Sequence, residues 1–455
     1  MDRIYEHFAK GFERAMAGRD GGRRIGAELK FPLVSSDGTA ASLEAVGALW
    51  RHLGGRGWRA ETDALTGRVV GARRDGERNE TVASCETGYC KPEFSLAHVG
   101  DLFALARSIE ELAEELRPFA DRHGVHFLGY GIQPVSPPGA GLLMKKGRTS
   151  VWDKVFGANR VLSASEGDDV CLFTVNAASH VHLSVSPGEA IRALNVLNGF
   201  APAQIALTAD SSVWRGRRDE TYRCVAEKLW DWWMPDARRV GVPERAFADL
   251  RDYAAALAAL RPVYVKRDGK PVILSDYDSF AGYYERERAS GTDSEGREVA
   301  LRPEPADIDL HSTCCWHNAR LTRYFTVENR TNDQQPPSDL VCIAALTLGL
   351  VSALEQAEAE LRSRPWSGLR ASRERACAAG VSDDDLADLA GRMLDAAEIG
   401  LRRRGLGEET FLAPLRRRLR ERRCPADEAA DLFEAGGAEA LVAARSLHGN
   451  PLPQA

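Results

Sequence analysis

The stretch Tyr324-Phe-Thr-Val327-Glu328-Asn-Arg330-Thr-Asn-Asp333 constrains this chain most, because its apolar alternation predicts a strand with a carboxylate and a guanidinium on one face. Val327 points one way, Glu328 and Arg330 the other. An acid beside a base on such a strand is either a structural ion pair or the lining of a cavity that holds a metal and an anion. The second reading would make the protein an enzyme. A second segment, Asn176-Ala-Ala-Ser179-His180-Val181-His182-Leu183-Ser184-Val185, alternates strictly. His180, His182 and Ser184 share one face while Val181, Leu183 and Val185 pack the other, and the two imidazoles can converge on one ligand. The bland alternative is the polar outer face of a half-exposed strand.

At 455 residues the chain is long enough for a substantial core, and its 44% hydrophobic and 28% charged content is that of a soluble globular protein. A net charge of -6 and a pI near 6.0 give no general attraction to nucleic acid or to anionic lipid, so neither is expected as a partner. The first residues are charged rather than apolar, and no window approaches the roughly 18 uninterrupted apolar residues of a membrane span. A cytoplasmic location is therefore expected. The nine cysteines form close pairs only at Cys85/Cys90 and Cys314-Cys315, without zinc-ribbon spacing, and read as reduced structural thiols.

Helical spacing predicts a first helix over residues 1–22, ended by Gly21 and Gly22, and a strand follows from Arg24. A helix is expected over 43–53, a hairpin or meander over 67–84, and a long helix over 99–122 with an apolar stripe from Leu102 to Phe119. Residues 126–133 are strand-like, a helix should begin over 149–156, and a strand should run over 171–185. Helices follow over 189–200 and 220–233, then a strand, Asp-Gly turn and strand over 263–274, then one buried helix over 340–361. From about residue 382 the composition shifts to Ala, Leu, Arg, Glu and Asp, which predicts three short helices. The expected organisation is a main unit over 1–380 with a helical cap, 381–455, packed on it.

Glu28 and Glu93 each sit among apolar neighbours on short strands, where an unpaired charge would cost several kcal/mol. Lys30 could pair with either. With Glu328 and His180 they supply the oxygen-rich constellation that binds magnesium–nucleotide complexes, since magnesium or manganese prefers carboxylates and tolerates a single imidazole. The cationic groups form a second set: Lys145, Lys146 and Arg148 after a flexible loop, Arg223 at a helix start, and Arg320, Arg323 and Arg330 around the opening strand. Arginine recognises carboxylate and phosphate bidentately, which favours a site role for Arg320 and Arg330, whereas Lys145 and Lys146 fit a solvated loop better. Trp230, Trp232 and Trp233 read as core or interface rather than an aromatic box. No P-loop, dinucleotide fingerprint or nucleophile elbow is present.

In collinear order these segments resemble the plant- and proteobacterial-type glutamate–cysteine ligases of the glutamine synthetase-like carboxylate–amine ligase superfamily. Gly26-Ala-Glu28-Leu-Lys30-Phe resembles the family's first-strand Gly-x-Glu-x-Glu, and the segment from Cys85 to Ser95 its EPGGQxELSG strand, with Glu93 on the second acid. Met144-Lys-Lys-Gly-Arg148 resembles MPKxRY, and Ala177-Ala-Ser-His180-Val-His182-Leu resembles ASxQVxxD. Asp210-Ser-Ser-Val-Trp214-Arg-Gly216 is similar to ANSPFxxG, and Thr221-Tyr-Arg223 to the SxR that follows it. Arg320-Leu-Thr-Arg323 through Asp333 resembles VRLKxYLExRxxD, and the resemblance covers nearly the whole chain.

The resemblance implies an α+β fold: an antiparallel curved sheet of glutamine synthetase/glutamate–cysteine ligase type with flanking helices and the C-terminal cap. It implies ATP and Mg2+, or Mn2+, as cofactors, and small-molecule substrates, glutamate with cysteine or another amine. Metal ligands map to Glu28, Glu93, Glu328 and His180 or His182, catalytic roles to Glu328 and Arg330, and phosphate binding to Lys145, Arg148 and Arg330. Substrate binding maps to Arg223, Arg320, Arg323 and Trp214. Lys30 departs from the pattern by standing where a further acid would ligate metal, and His180 replaces a glutamine. The altered loops around Glu86 and Trp214 open a different acid and amine pair, or a ligase-fold binding or regulatory protein. The oligomeric state is not legible, and a homodimer stays open.

Overall fold

Strict alternation leaves a strand one stable arrangement, with its apolar side packed and its polar side turned away from the core. The computed structural model describes residues 2–17, 22–76, 79–155, 169–234 and 236–453. Eight strands form the main sheet: β1 (Ile25–Lys30), β2 (Arg59–Thr62), β3 (Val69–Asp75), β4 (Glu80–Cys85), β5 (Pro92–Ser95), β6 (Ala178–Ser184), β7 (Ala319–Leu321) and β8 (Thr326–Asp333). Their order is β7-β8-β6-β1-β5-β4-β3-β2, and every neighbouring pair is antiparallel. The expected class, a helix-flanked antiparallel sheet, is the one observed.

Register assembles the polar face. Glu28 lies opposite His180 on one side and Ser95 on the other, and Lys30 lies opposite Glu93. His182 faces Glu328, which in turn faces Arg320. On the reverse face Ala27, Leu29, Phe94, Val181, Leu183 and Val327 are buried, and the β1, β6 and β8 part of that face packs on the helices Pro187–Gly199, Ala201–Thr208 and Cys342–Ser352. Asn329 is on that side too, and it donates to Gln204 Oε1 at 2.7 Å and Thr347 Oγ1 at 2.8 Å, so the buried amide fixes β8 against two helices.

Several expected elements are shorter or broken. The strand expected over 171–185 is confined to Ala178–Ser184, because Leu172, Phe173 and Val175 are spent in a second apolar cluster and the chain there coils as a 3-10 turn, Asp169–Thr174. The segment 126–133 keeps only Val125–Phe127 as strand; beyond it the backbone at Gly131 runs so close to β8 that a Cβ there would lie 2.7 Å from Asp333. The helix expected over 340–361 is two, Cys342–Ser352 and Leu354–Leu361, bent by 90° at their junction. The first is buried on all sides and the second on one, a change that an unbroken apolar pattern conceals. The three short C-terminal helices are instead one long helix, Asp384–Arg404, then Ala413–Glu421, then the segment Pro425–Arg445, whose helix is broken by non-helical backbone at Gly436 and Gly437. Residues 18–21, where the first two-glycine stop begins, and Phe156, the end of the helix expected from 149, lie outside the described residues. Among the described residues no single helix is long and apolar enough to cross a membrane, and all nine cysteines are buried and free.

Candidate active site

A cavity of about 480 Å³ opens over the polar face of the sheet. Its floor is an alternating array of charges. Glu328, 1% exposed, accepts from Arg320 Nε at 2.7 Å and from the Arg330 guanidinium. Arg320 is itself held by the carbonyls of Thr313 and Cys315 at 2.8 and 3.1 Å. Glu28 meets His182 Nε2 at 3.0 Å through Oε1 and His180 Nδ1 at 3.1 Å through Oε2, and His182 Nδ1 is 3.3 Å from the Thr326 hydroxyl. Lys30 Nζ lies 2.8 Å from Glu93 Oε2, 3.0 Å from His180 Nδ1 and 3.5 Å from Glu28 Oε2.

These neighbours reset the protonation of the site. Burial would push Glu28 and Glu328 up, but the charges of His182 and Lys30 on the one, and of Arg320 and Arg330 on the other, hold both below the ordinary carboxylate range. His182 moves up, burial being outweighed by the Glu28 and Glu328 carboxylates. Burial, with Lys30 and Arg330 beside it, drives His180 down to about 3, which leaves it a neutral imidazole accepting from Lys30. Lys30 is held above its ordinary value despite burial by Glu93 and Glu28.

Glu28, His182 and Glu328 each offer a ligand atom, and these atoms lie within 4.8 Å of one another. Two carboxylates and one imidazole fit magnesium or manganese. Of the five expected metal ligands these three cluster as a donor set, whereas Glu93 and His180 converge on Lys30. Arg148 lines the cavity with its guanidinium 5.5 Å over the Trp152 ring, and Arg323 lines it while donating to the Tyr324 hydroxyl at 2.6 Å.

Three expected site residues do not line the cavity. Lys145 is exposed. Arg223 donates to Asp427 and to the Ala378 carbonyl, both at 2.7 Å, so residues far along the chain claim it. Trp214 is 1% exposed, donates to Asp219 at 3.1 Å and stacks on Trp232. Conversely, Lys91 and an aromatic wall of Trp152, Phe173, Trp230, Trp233, Tyr264 and Trp316 line the cavity without having been assigned to it. Trp233 is in the core and Trp230 packs against it, as expected, and both also line the cavity; their i, i+3 spacing on the helix Val225–Trp233 was the signal that they share a face.

Glutamate-cysteine ligase family 2 (GCS2) matches residues 24–444. A Rubrobacter xylanophilus protein named "Putative glutamate–cysteine ligase 2-3" is 26% identical over 303 residues, 66% of this chain and 67% of its own length. The glutamate–cysteine ligase EgtA of Mycolicibacterium smegmatis is 25% identical over 354 residues, 75% of this chain and 76% of its own. A glutamate–cysteine ligase from Francisella tularensis, solved in complex with AMP, aligns with a TM-score of 0.49 at 11% identity over 92% of this chain and 86% of that one. The protein is an enzyme of the ATP-dependent carboxylate–amine ligase class, acting on small molecules. The chain belongs to Glutamate-cysteine ligase family 2.

Proposed function

We propose that the protein joins the γ-carboxyl group of glutamate to an amine through an acyl-phosphate. The carboxylate oxygen attacks the γ-phosphorus of ATP as the bond to ADP breaks; the amine nitrogen then attacks the acyl carbon, phosphate leaves, and the nitrogen gives up a proton. The observation that carries this reading is the triad Glu28, His182 and Glu328 set among the cations Lys30, Arg320 and Arg330 on one cavity floor. A magnesium or manganese ion held by that triad would supply charge neutralisation on the phosphates. Arg330 and Arg148 offset the negative charge of the transferred phosphoryl group, and Arg323 at the rim takes a substrate carboxylate. Arg320 positions Glu328. No protein nucleophile is required. The proposal keeps the catalytic unit over 1–380 and the helical cap over 381–455.

Release of ADP and phosphate that depends on both glutamate and an amine, with the product identified by mass, tests the reading. Arg330→Ala is expected to lower kcat by about 100- to 1,000-fold, the usual loss of one charge-stabilising donor, and Glu328→Gln by at least as much. Wild-type rates in either variant would show that the reactive face lies elsewhere. No turnover with any amine, together with no magnesium–ATP binding by calorimetry, would overturn the ligase assignment.

A second reading of the acceptor is favoured by the aromatic wall. Six rings line the side of the cavity, Trp230 the most exposed of them, and such a lining suits an aromatic or cationic amine. An amine panel with cysteine beside aromatic and cationic amines discriminates through kcat/KM, and a clear preference for cysteine would reject this second reading.

A further inference from the structure

Lys30 is 4% exposed, and its ammonium is met from three strands: Glu93 Oε2 of β5 at 2.8 Å, His180 Nδ1 of β6 at 3.0 Å and Glu28 Oε2 of β1 at 3.5 Å. Three acceptors match the three N–H donors of an ammonium group. Two carboxylates and one imidazole are also the composition of the neighbouring triad, and Glu28 belongs to both sets. Its Oε1 faces His182 and its Oε2 faces Lys30 and His180, so this carboxylate bridges two adjacent cation positions. A divalent ion among Glu28, Glu93 and His180 would have to occupy the volume of Nζ itself.

We propose that Lys30 is a built-in second cation, its ammonium holding the position among Glu28, Glu93 and His180 that a metal ion could otherwise take, so that the enzyme binds one metal fewer than its donors could carry. The inference deepens the proposed ligase reading and relies on it for the use of the neighbouring triad. A tethered cation cannot dissociate, so one half of the paired charge sites is filled at any metal concentration. Glu93 is then a positioning residue for Lys30 rather than a metal ligand.

Titration of the full chain with Mn2+ alone, followed by calorimetry and electron paramagnetic resonance, tests this without reference to turnover. Glu93→Gln is expected to leave Mn2+ affinity within about twofold of wild type, while Glu328→Gln lowers it by about 100-fold or more. Lys30→Ala is expected to bind one more Mn2+ per chain than wild type, and adding Glu93→Gln to it should remove that extra ion. Loss of Mn2+ affinity in Glu93→Gln comparable to that in Glu328→Gln, or an unchanged ion count in a folded Lys30→Ala, would overturn the proposal. Because Glu93→Gln retains Lys30, the first comparison stands even where Lys30→Ala fails to fold. Failure of the ligase reading registers separately, as absent turnover beside an intact Mn2+ pattern.

Discussion

Glu328 joins two arginines from the two strands that meet at its position, and this single carboxylate ties the polar face together. Because Glu28 and Glu328 titrate below their ordinary values in the fold, the unfolded chain binds more protons than the folded one in acid. Their stabilisation is complete above the ordinary carboxylate value of 4.5 and is lost as pH falls through the lower folded values. Asp333 has the opposite sign. Burial pushes it up to about 7 in spite of donation from Asp210 N and the Ser211 hydroxyl, so its contribution is full below 3.8 and is lost as pH rises toward 7. The slope of stability against pH between about 5 and 7, read from thermal melts, should therefore be more positive in Asp333→Asn than in wild type. An unchanged slope would place the responsible group elsewhere. At this scale much was legible: the alternation identified His180, His182, Glu328 and Arg330 as polar-face residues, Glu28 stood out as a carboxylate among apolar neighbours, and all of them line the cavity. Arg223 and Trp214 were not separable from site residues by type alone, since the Asp427 and Asp219 that engage them depend on how the chain folds back.

Among the elements, the sheet's apolar face depends on how closely its covering helices approach. The helices Cys342–Ser352 and Asp384–Arg404 touch at glycine: a Cβ on Gly400 would lie 1.9 Å from the Gly349 carbonyl oxygen. Gly400→Ala should therefore destabilise the protein by about 1–3 kcal/mol in urea melts, the range for overpacking a closed interface. That loss outweighs the roughly 1 kcal/mol that alanine gains over glycine within a helix. Neutral behaviour would show that the two helices separate without cost. Strands with mixed faces were legible because backbone pleating imposes period two wherever one side is buried. The run Cys171, Leu172 and Phe173 was misread as strand because an apolar run buried on every side has no period to distinguish strand from coil. The bend between Ser352 and Leu354 was hidden for the same reason.

Across the whole molecule, the C-terminal helices are fastened to the main unit through buried charge and backbone pairing. Arg418 donates to Asp339 at 2.7 Å, Arg445 lies 3.5 Å from Asp210, and Leu447 N–H donates to the Phe127 carbonyl at 2.9 Å. A chain ending at residue 380 would strip Asp339 of Arg418, at about 3–5 kcal/mol for a broken buried pair, remove Arg445 from Asp210 and uncover the Cys342–Ser352 helix. It should be insoluble or bind a hydrophobic dye without a cooperative melt; a soluble 1–380 fragment with a sharp transition would show that the cap is dispensable. The sequence by itself determined which side chains share a face, the order of the motifs and the family they belong to, because pleat and helical turn are local properties of the backbone. Tertiary structure alone decided that Lys30 stands between Glu93 and His180, that Trp230 and Trp233 wall the cavity, and that Arg223 turns away from it. Strand register and helix packing are set by contacts between residues tens to hundreds of positions apart, and no local period records them.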